Sequence, residues 1–323
     1  MITYAARRLL SCLPLLWIIL TLVFLLVEAV PGDPFSLEPG PAVSRGSAAA
    51  MNEAFGTGRS FGIRYVEWLG RFVRGDLGVS YSLRRPVLGL VAESAWNTCR
   101  LASLALVLQF VVGLAAGLAA VARRGSWVDR AIVAASSFLY AIPSYWLALV
   151  LIWIFSVRLG WLPASQMSSL EAASWGGPER FFDAARHLLL PCLSMTLPAA
   201  AGLTLYVRET LADVMTRGFI RTARSRGAGD GRILVRHGLS GAMLPLLNLL
   251  GMALPGLVGG SAVIEVVHAW PGMGRLAYQS VLAHDQPLIL GCVWAAAMLV
   301  LAGSLLADLT SAMLDPRVRE STG

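Results

Sequence analysis

Leu101-Ala102-Ser103-Leu104-Ala105-Leu106-Val107-Leu108-Gln109-Phe110-Val111-Val112-Gly113-Leu114-Ala115-Ala116-Gly117-Leu118-Ala119-Ala120-Val121-Ala122 decides the fold class, because this stretch holds no Asp, Glu, Lys, Arg or His. A helix rises about 1.5 Å per residue, so roughly 20 apolar residues cross the ~30 Å hydrocarbon core of a bilayer. Five further runs share the property: Leu9–Val27, Ala131–Val157, Leu188–Val207, Gly238–Ile264 and Gln286–Ala307. A charge at the centre of an inserted helix costs about 2.5–3.5 kcal/mol, which is why the runs are free of charges. The third and fifth exceed the minimum length, so tilt or an interfacial extension is expected there.

The composition agrees. The 323 residues are 56% hydrophobic and 14% charged, with mean hydropathy +0.67, against about 25% charged in soluble domains. The expected fold class is all-α: a polytopic membrane protein with six transmembrane helices and the lipid bilayer as its solvent. Pro31 to Asn97 is too polar to insert and forms an external loop. Within it, residues 36–62 are rich in Gly, Ser, Ala and Pro. Tyr65, Trp68, Leu69 and Phe72 then recur at helical spacing, predicting a short amphipathic helix that Gly75-Asp76-Leu77-Gly78 ends.

Arginine placement sets the orientation. Net charge is +7 and the chain contains no lysine. With the N-terminus inside, the inner segments hold fourteen arginines (Arg7, Arg8, Arg123, Arg124, Arg130, seven from Arg208 to Arg236, Arg317 and Arg319), and the two short outer loops hold four (Arg158, Arg180, Arg186 and Arg275). Short cytoplasmic loops carry the excess of basic residues, so both the N-terminus and the C-terminus are expected to be cytoplasmic. The first run follows Arg7 and Arg8 like a signal peptide, but it is longer than the usual h-region of about 7–15 residues, so the first span is expected to stay. Cys12, Cys99, Cys192 and Cys292 lie far apart with no ligand spacing, so neither a disulfide framework nor a metal site is expected.

Prolines 143, 191, 198, 245 and 255 fall within the runs, where membrane helices accept them as kinks. Gly113 with Gly117, and Gly256 with Gly260, form GxxxG pairs, read either as close helix contacts or as chance in a chain with 32 glycines. Asn248, Pro255, Gly256 and Gly260 of the fifth run are candidate pathway-lining residues, together with Trp270 and Gly272 of the following turn. Asn248 equally suits a bond to a neighbouring helix. Trp270-Pro271-Gly272-Met273-Gly274 also reads as an interfacial turn with a tryptophan anchor, or as a reversal folding Leu276–Leu282 back over a pathway exit.

The cytoplasmic loop, residues 208–237, carries the functional signal. Phe219 to Arg226 reads as a short helix ending in cations, with Gly227 at the left-handed C′ position. Asp230 reads as the N-cap of a second short helix carrying Ile233, Leu234 and Val235. Two amphipathic turns hinged on glycines make a compact surface for a protein partner, whereas a plain basic loop would only touch anionic lipid.

With these residues in view the chain resembles the B-type inner-membrane permease subunits of dipeptide/oligopeptide ATP-binding-cassette importers. The resemblance rests on Pro31-Gly32-Asp33-Pro34, Gly75-Asp76-Leu77-Gly78 with Ser80, Pro86 and Val87, Pro143 with Trp146-Leu147, Leu159-Gly160-Trp161-Leu162-Pro163, His237, Leu244-Pro245, Trp270-Pro271-Gly272-Met273-Gly274 and Leu314-Asp315-Pro316-Arg317, in that order. It implies one permease domain over 1–323 in a bacterial inner membrane. It also implies that the 208–237 loop is a variant of the EAA motif, the coupling helix seated on an ATPase. Arg221, Thr222, Ala223, Arg224, Ser225, Arg226, Gly227, Asp230, Arg232 and His237 are the coupling residues so implied. Arg221 replaces the general motif's glutamate, and Gly241 stands where relatives often have asparagine. The implied partners are a paralogous C-type permease, two ABC ATPase subunits and an extracytoplasmic substrate-binding protein, with no nucleic acid.

The residues themselves weigh against other classes. A Walker A loop needs a lysine for the phosphates, so no cofactor is expected in this chain, and ATP and Mg are expected on the partner ATPase. The subunit is expected to have no enzymatic activity of its own. An ion-coupled secondary transporter, the alternative, would place ionisable residues at bilayer depth, and the six runs hold none. An intramembrane Ser–His hydrolase is expected to lack its base, since His187, His237, His268 and His284 all lie outside the runs. His187 reads as interfacial and His237 as a loop–helix cap.

Overall fold

The computed structural model describes residues 2–29, 60–243, 245–247, 249 and 261–314. Its helices are α1 (Ile2–Ala29), α2 (Phe61–Val73), α3 (Val87–Ala122), α4 (Trp127–Ala141), α5 (Ser144–Leu151), α6 (Gly177–Val214), α7 (Gly218–Ser225), α8 (Asp230–Arg232), α9 (Ala262–Val267), α10 (Met273–Leu282) and α11 (Gln286–Leu314). A single isolated bridge, Val79 to Pro86, is the only extended pairing among the described residues. The protein is a helical, multi-pass membrane protein.

Among the described residues three helices are long and apolar enough to cross a bilayer: Val87–Ala122, Gly177–Val214 and Gln286–Leu305. Of the first run, Pro14–Val27 of α1 is described as a shorter apolar helix, and much of the fifth run lies outside the described residues. The third run departs from the expected single span. It consists of α4 and a second helix, Ser144–Arg158, bent by 101°. The cause is Pro143, which lacks an amide proton and forces its predecessor out of the helical region: Ile142 sits at φ −79°, ψ 129°. The end of this second helix, Ile152–Arg158, widens to π-helical hydrogen bonding. The helix over the second run begins at Val87, about three turns before Asn97.

The chain divides into two compact units. The first comprises residues 1–96 and 275–298. Here α2 forms as expected, and its aromatic face packs on α1: Phe24 lies 5.4 Å from the ring of Tyr65 and 5.3 Å from that of Trp68. Thr21 and Tyr65 hydroxyls meet at 2.9 Å. Gly75 and Gly78, at φ 78° and 80°, turn the chain after α2. Asp285 then ties the unit together. Its carboxylate accepts from the Ser80 and Ser82 hydroxyls at 2.6 and 2.7 Å and from the Ser82 amide, while its other oxygen caps α11 through the Leu288 amide.

The second unit comprises residues 97–274 and 299–323. Its centre is α6, packed by α4 and α5 and, around Val121, Leu203, Val207, Leu211, Val214, Leu234 and Leu246, by α3 and the helical residues after α8. Lipid is as apolar as leucine, so such packing relies on close fit rather than on exclusion of water. The first GxxxG pair supplies that fit. A side chain at Gly117 would come within 2.5 Å of Val207 Cγ1, and one at Gly113 within 2.8 Å of Leu203 Cβ. Close helix contact, not chance, explains Gly113 and Gly117; Gly256 and Gly260 lie outside the described residues.

Candidate functional site

The 208–237 loop folds as two short helices on a glycine hinge. Helix α7 closes with a Schellman arrangement: Gly227 at φ 80° donates to the Arg224 carbonyl at 3.0 Å, and Ala228 donates to the Ala223 carbonyl at 3.3 Å. Asp230 is not the N-cap that its residue type suggested. Gly229 holds that position, and Asp230 is the first helical residue of α8. Its carboxylate instead faces the Arg224 guanidinium at 3.5 Å, an exposed pair across the hinge. The chain continues from α8 as a π-helical turn, Ile233–Gly238, which contains His237.

The two faces of this loop differ sharply. Ile220 and Ile233 are fully buried and Leu234 nearly so, and these anchor the pair of helices to the protein. Arg221, Thr222, Arg224, Ser225, Arg226, Gly227, Asp230 and Arg232 are exposed, Ala223 and His237 are half-buried, and Phe219 and Val235 add exposed apolar surface. Eight of the ten sequence-derived coupling candidates are thus exposed, four of them arginines, with apolar Phe219 and Val235 exposed in the same loop.

An ion pair joins this region to the loop between α3 and α4. Arg208, near the end of α6, grips Asp129 with Nε at 2.7 Å and Nη2 at 3.0 Å. Asp129 also accepts the Gly125 amide at 2.9 Å, and Ser126 caps α4. Asp129 is 2% exposed, so this bidentate, charge-assisted contact fixes the short loop before α4 to the end of α6. The sequence reading missed it, since residues 79 positions apart announce nothing locally.

The Trp270–Gly274 turn is a buried element. Trp270 is 2% exposed and packs with Leu101, Ala105 and Cys192. Its indole donates to the Asn97 carbonyl at 3.1 Å, and Asn97 returns a bond to the Pro271 carbonyl. Glu265, fully buried, is the hub. It accepts from Thr98 Oγ1 at 2.7 Å, Ser261 Oγ at 2.9 Å and the Gly274 amide at 2.7 Å, while Thr98 in turn accepts the Met273 amide at 2.8 Å. Gly272 is needed because the Glu265 carboxylate occupies the space of any side chain there. The segment Leu276–Leu282 belongs to helix α10. Asn248, Pro255, Gly256 and Gly260, the other candidate pathway residues, lie outside the described residues.

His187 is buried, with Nδ1 2.9 Å from the Asp183 carbonyl. A Ser–His contact does exist: His268 Nε2 lies 3.3 Å from Ser194 Oγ. The Ser194 hydroxyl donates to the Leu190 carbonyl at 2.7 Å, and His268 Nδ1 faces the Ala164 carbonyl at 3.2 Å. Burial holds the His268 imidazole below its ordinary value, against the opposing pull of that carbonyl. Both residues are fully buried.

Residues 109–320 match the family described as binding-protein-dependent transport system inner membrane component, and residues 1–102 match the N-terminal component of the same systems. The chain is 35% identical over 98% of its length to the oligopeptide transport system permease protein AppB of Bacillus subtilis, covering 99% of that protein. It is 32% identical over 99% of its length to the glutathione transport system permease protein GsiC of Escherichia coli, again covering 99%. A solved structure of the MetNI methionine ABC transporter shares the fold, with TM-score 0.51 and 22% identity over 69% of this chain and 97% of that one.

Proposed function

The chain belongs to the binding-protein-dependent transport system inner membrane component family and is a permease subunit of an ABC importer, and from that premise we propose that it moves peptides or similar small solutes across a bacterial inner membrane. It does so through six spans with both termini cytoplasmic, paired with a paralogous C-type permease, two ABC ATPases that hold ATP and Mg, and an extracytoplasmic substrate-binding protein. The chain itself performs no chemistry. The whole chain, 1–323, is the permease domain.

The carrying observation is the two-faced loop over residues 208–237. A lever needs a rigid joint, a side anchored to the moving helices and a side open to the motor. The Schellman junction at Gly227, the buried Ile220, Ile233 and Leu234, and the exposed Arg221, Arg224, Arg226 and Arg232 supply these three parts. ATPase closure pushes on the exposed face, and the anchored side passes the displacement to α6 and to the helix that follows. Full-length relatedness to permeases does not favour the ion-coupled alternative.

Purification of the tagged chain from its native membrane tests the assembly: two ATPases and a second permease should accompany it. A stable, transport-active homomer without ATPases would refute it. Single cysteines at Ser168 and Ser225 test the orientation in intact cells. Labelling from outside is expected at 168 only, and external labelling at 225 would reverse the topology.

A further inference from the structure

The short turn between α3 and α4 holds cations that nothing in the chain neutralises. Arg123, Arg124 and Arg130 are exposed, and their side chains make no hydrogen bond or ion pair among the described residues. The acid of the turn does not serve them. Asp129 is buried, with Oδ1 held by Arg208 Nε and Oδ2 by Arg208 Nη2 and the Gly125 amide. Glu209, further along α6, lies 3.7 Å from Arg208 itself. The same contacts stiffen the turn, with Gly125 at φ 79° and the Ser126 amide on the Arg123 carbonyl at 3.0 Å. Uncompensated positive charge therefore stands on a fixed base.

Trp127 shares the turn and is 74% exposed. It precedes Arg130 by three residues on α4, so the two side chains are neighbours on one helix face. A tryptophan this exposed suits a membrane interface, where the amphipathic ring sits at headgroup level. The chain confines the turn to that level. Arg123 directly follows the charge-free stretch 101–122, and the next such stretch opens at Ala131. Backbone bonds from Arg124 to Val121 and from Ser126 to Arg123 close the turn tightly. It is too tight to project beyond a headgroup layer about 5–8 Å deep.

We propose that this turn binds the headgroup of an anionic phospholipid. The guanidiniums of Arg123, Arg124 and Arg130 take the phosphodiester oxygens, and the Trp127 ring enters the boundary between headgroups and acyl chains. Through Asp129 and Arg208 the bound lipid steadies the end of α6. The inference uses only the insertion of the helices in a bilayer, not the nature of the solute carried. An acidic surface of a partner protein is the competing occupant, and the test separates the two.

Ala122 is exposed beside the turn and supplies none of these groups. The purified complex, cysteine-free except for A122C in this chain, carries a fluorophore there in phosphatidylcholine nanodiscs. Phosphatidylglycerol or phosphatidylcholine, each with a doxyl quencher near the headgroup end of its acyl chain, is titrated in. Both faces of the disc hold the same lipid, so the result is independent of the orientation of the chain. Half-maximal quenching should need roughly tenfold less doxyl-phosphatidylglycerol than doxyl-phosphatidylcholine, the effect of about 1.4 kcal/mol. In R123Q/R124Q/R130Q the two curves should coincide, and unchanged quenching by the phosphatidylcholine shows that this variant inserts as before. R221Q/R224Q removes charge from the 208–237 loop instead and should keep the preference. The proposal is overturned if the two lipids quench equally in the parent chain, or if the preference survives in R123Q/R124Q/R130Q or disappears in R221Q/R224Q. It is overturned equally if neither lipid quenches, the result expected where a partner protein covers the turn.

Discussion

The carboxylate of Glu265 occupies the space in which a side chain at residue 272 would lie: a Cβ built on Gly272 would approach it to 2.5 Å. Glycine at 272 is a packing requirement set by a buried acid seven residues earlier. Gly272→Val should therefore fail at folding and membrane accumulation rather than only at uptake. Gly272→Ala should cost about 1–3 kcal/mol as an overpacked core site, read as a lower melting temperature of the purified complex. Normal thermal stability of Gly272→Ala would refute the assigned packing.

The Gly117–Val207 contact makes a paired prediction. Gly117→Ala should destabilise by about 1–3 kcal/mol because its methyl group meets Val207 Cγ1. Val207→Ala in the same chain should restore much of the loss by vacating that space. Thermal denaturation of the four members of the cycle checks this. Additive effects would show that the two helices do not meet there.

For Asp129 and Arg208, removing either partner leaves a poorly solvated charge. Arg208→Ala strands the carboxylate of Asp129, which is 2% exposed, and breaking such a buried pair costs about 3–5 kcal/mol, with the lower end expected here because Arg208 is partly exposed. Arg208→Ala with Asp129→Ala should be milder than Arg208→Ala alone. Detergent-extracted stability and ATP-driven uptake are the measurements, and equal damage in the single and double variants would count against the pair.

In the 208–237 loop, Gly227→Val places a β-branched residue at φ 80°, a strain of about 1–3 kcal/mol. Uptake and co-purification of the ATPases should be lost, as they should in Arg221→Glu with Arg224→Glu, while the chain still accumulates in the membrane. Wild-type transport by both variants would reduce the loop to a lipid-contacting connector.

What the sequence determined by itself is what depends on near neighbours along the chain. Charge-free runs specify inserted helices because the bilayer penalises each residue separately. The spacing of Tyr65, Trp68, Leu69 and Phe72 specifies α2 because helical periodicity spans only a few residues. Gly227 specifies the hinge because a positive φ is a property of one residue. Pro143 was visible as a kink, but its 101° bend was not, since the angle depends on what each half packs against. Asp230 shows the limit of local reasoning: residue type favoured a cap, yet Gly229 took the position and Asp230 turned to Arg224.

Only the tertiary structure decided the partners of the buried polar groups. Thr98 and Glu265, Asp129 and Arg208, Ser194 and His268, and Ser80 and Asp285 are each brought together across long stretches of sequence. A buried carboxylate or imidazole must be satisfied, so the sequence announces that a partner exists. Which residue fills the role depends on which helices lie side by side, and side-by-side helices are chosen by close fit at glycines such as Gly113 and Gly117, a property of two surfaces rather than of either strand of sequence.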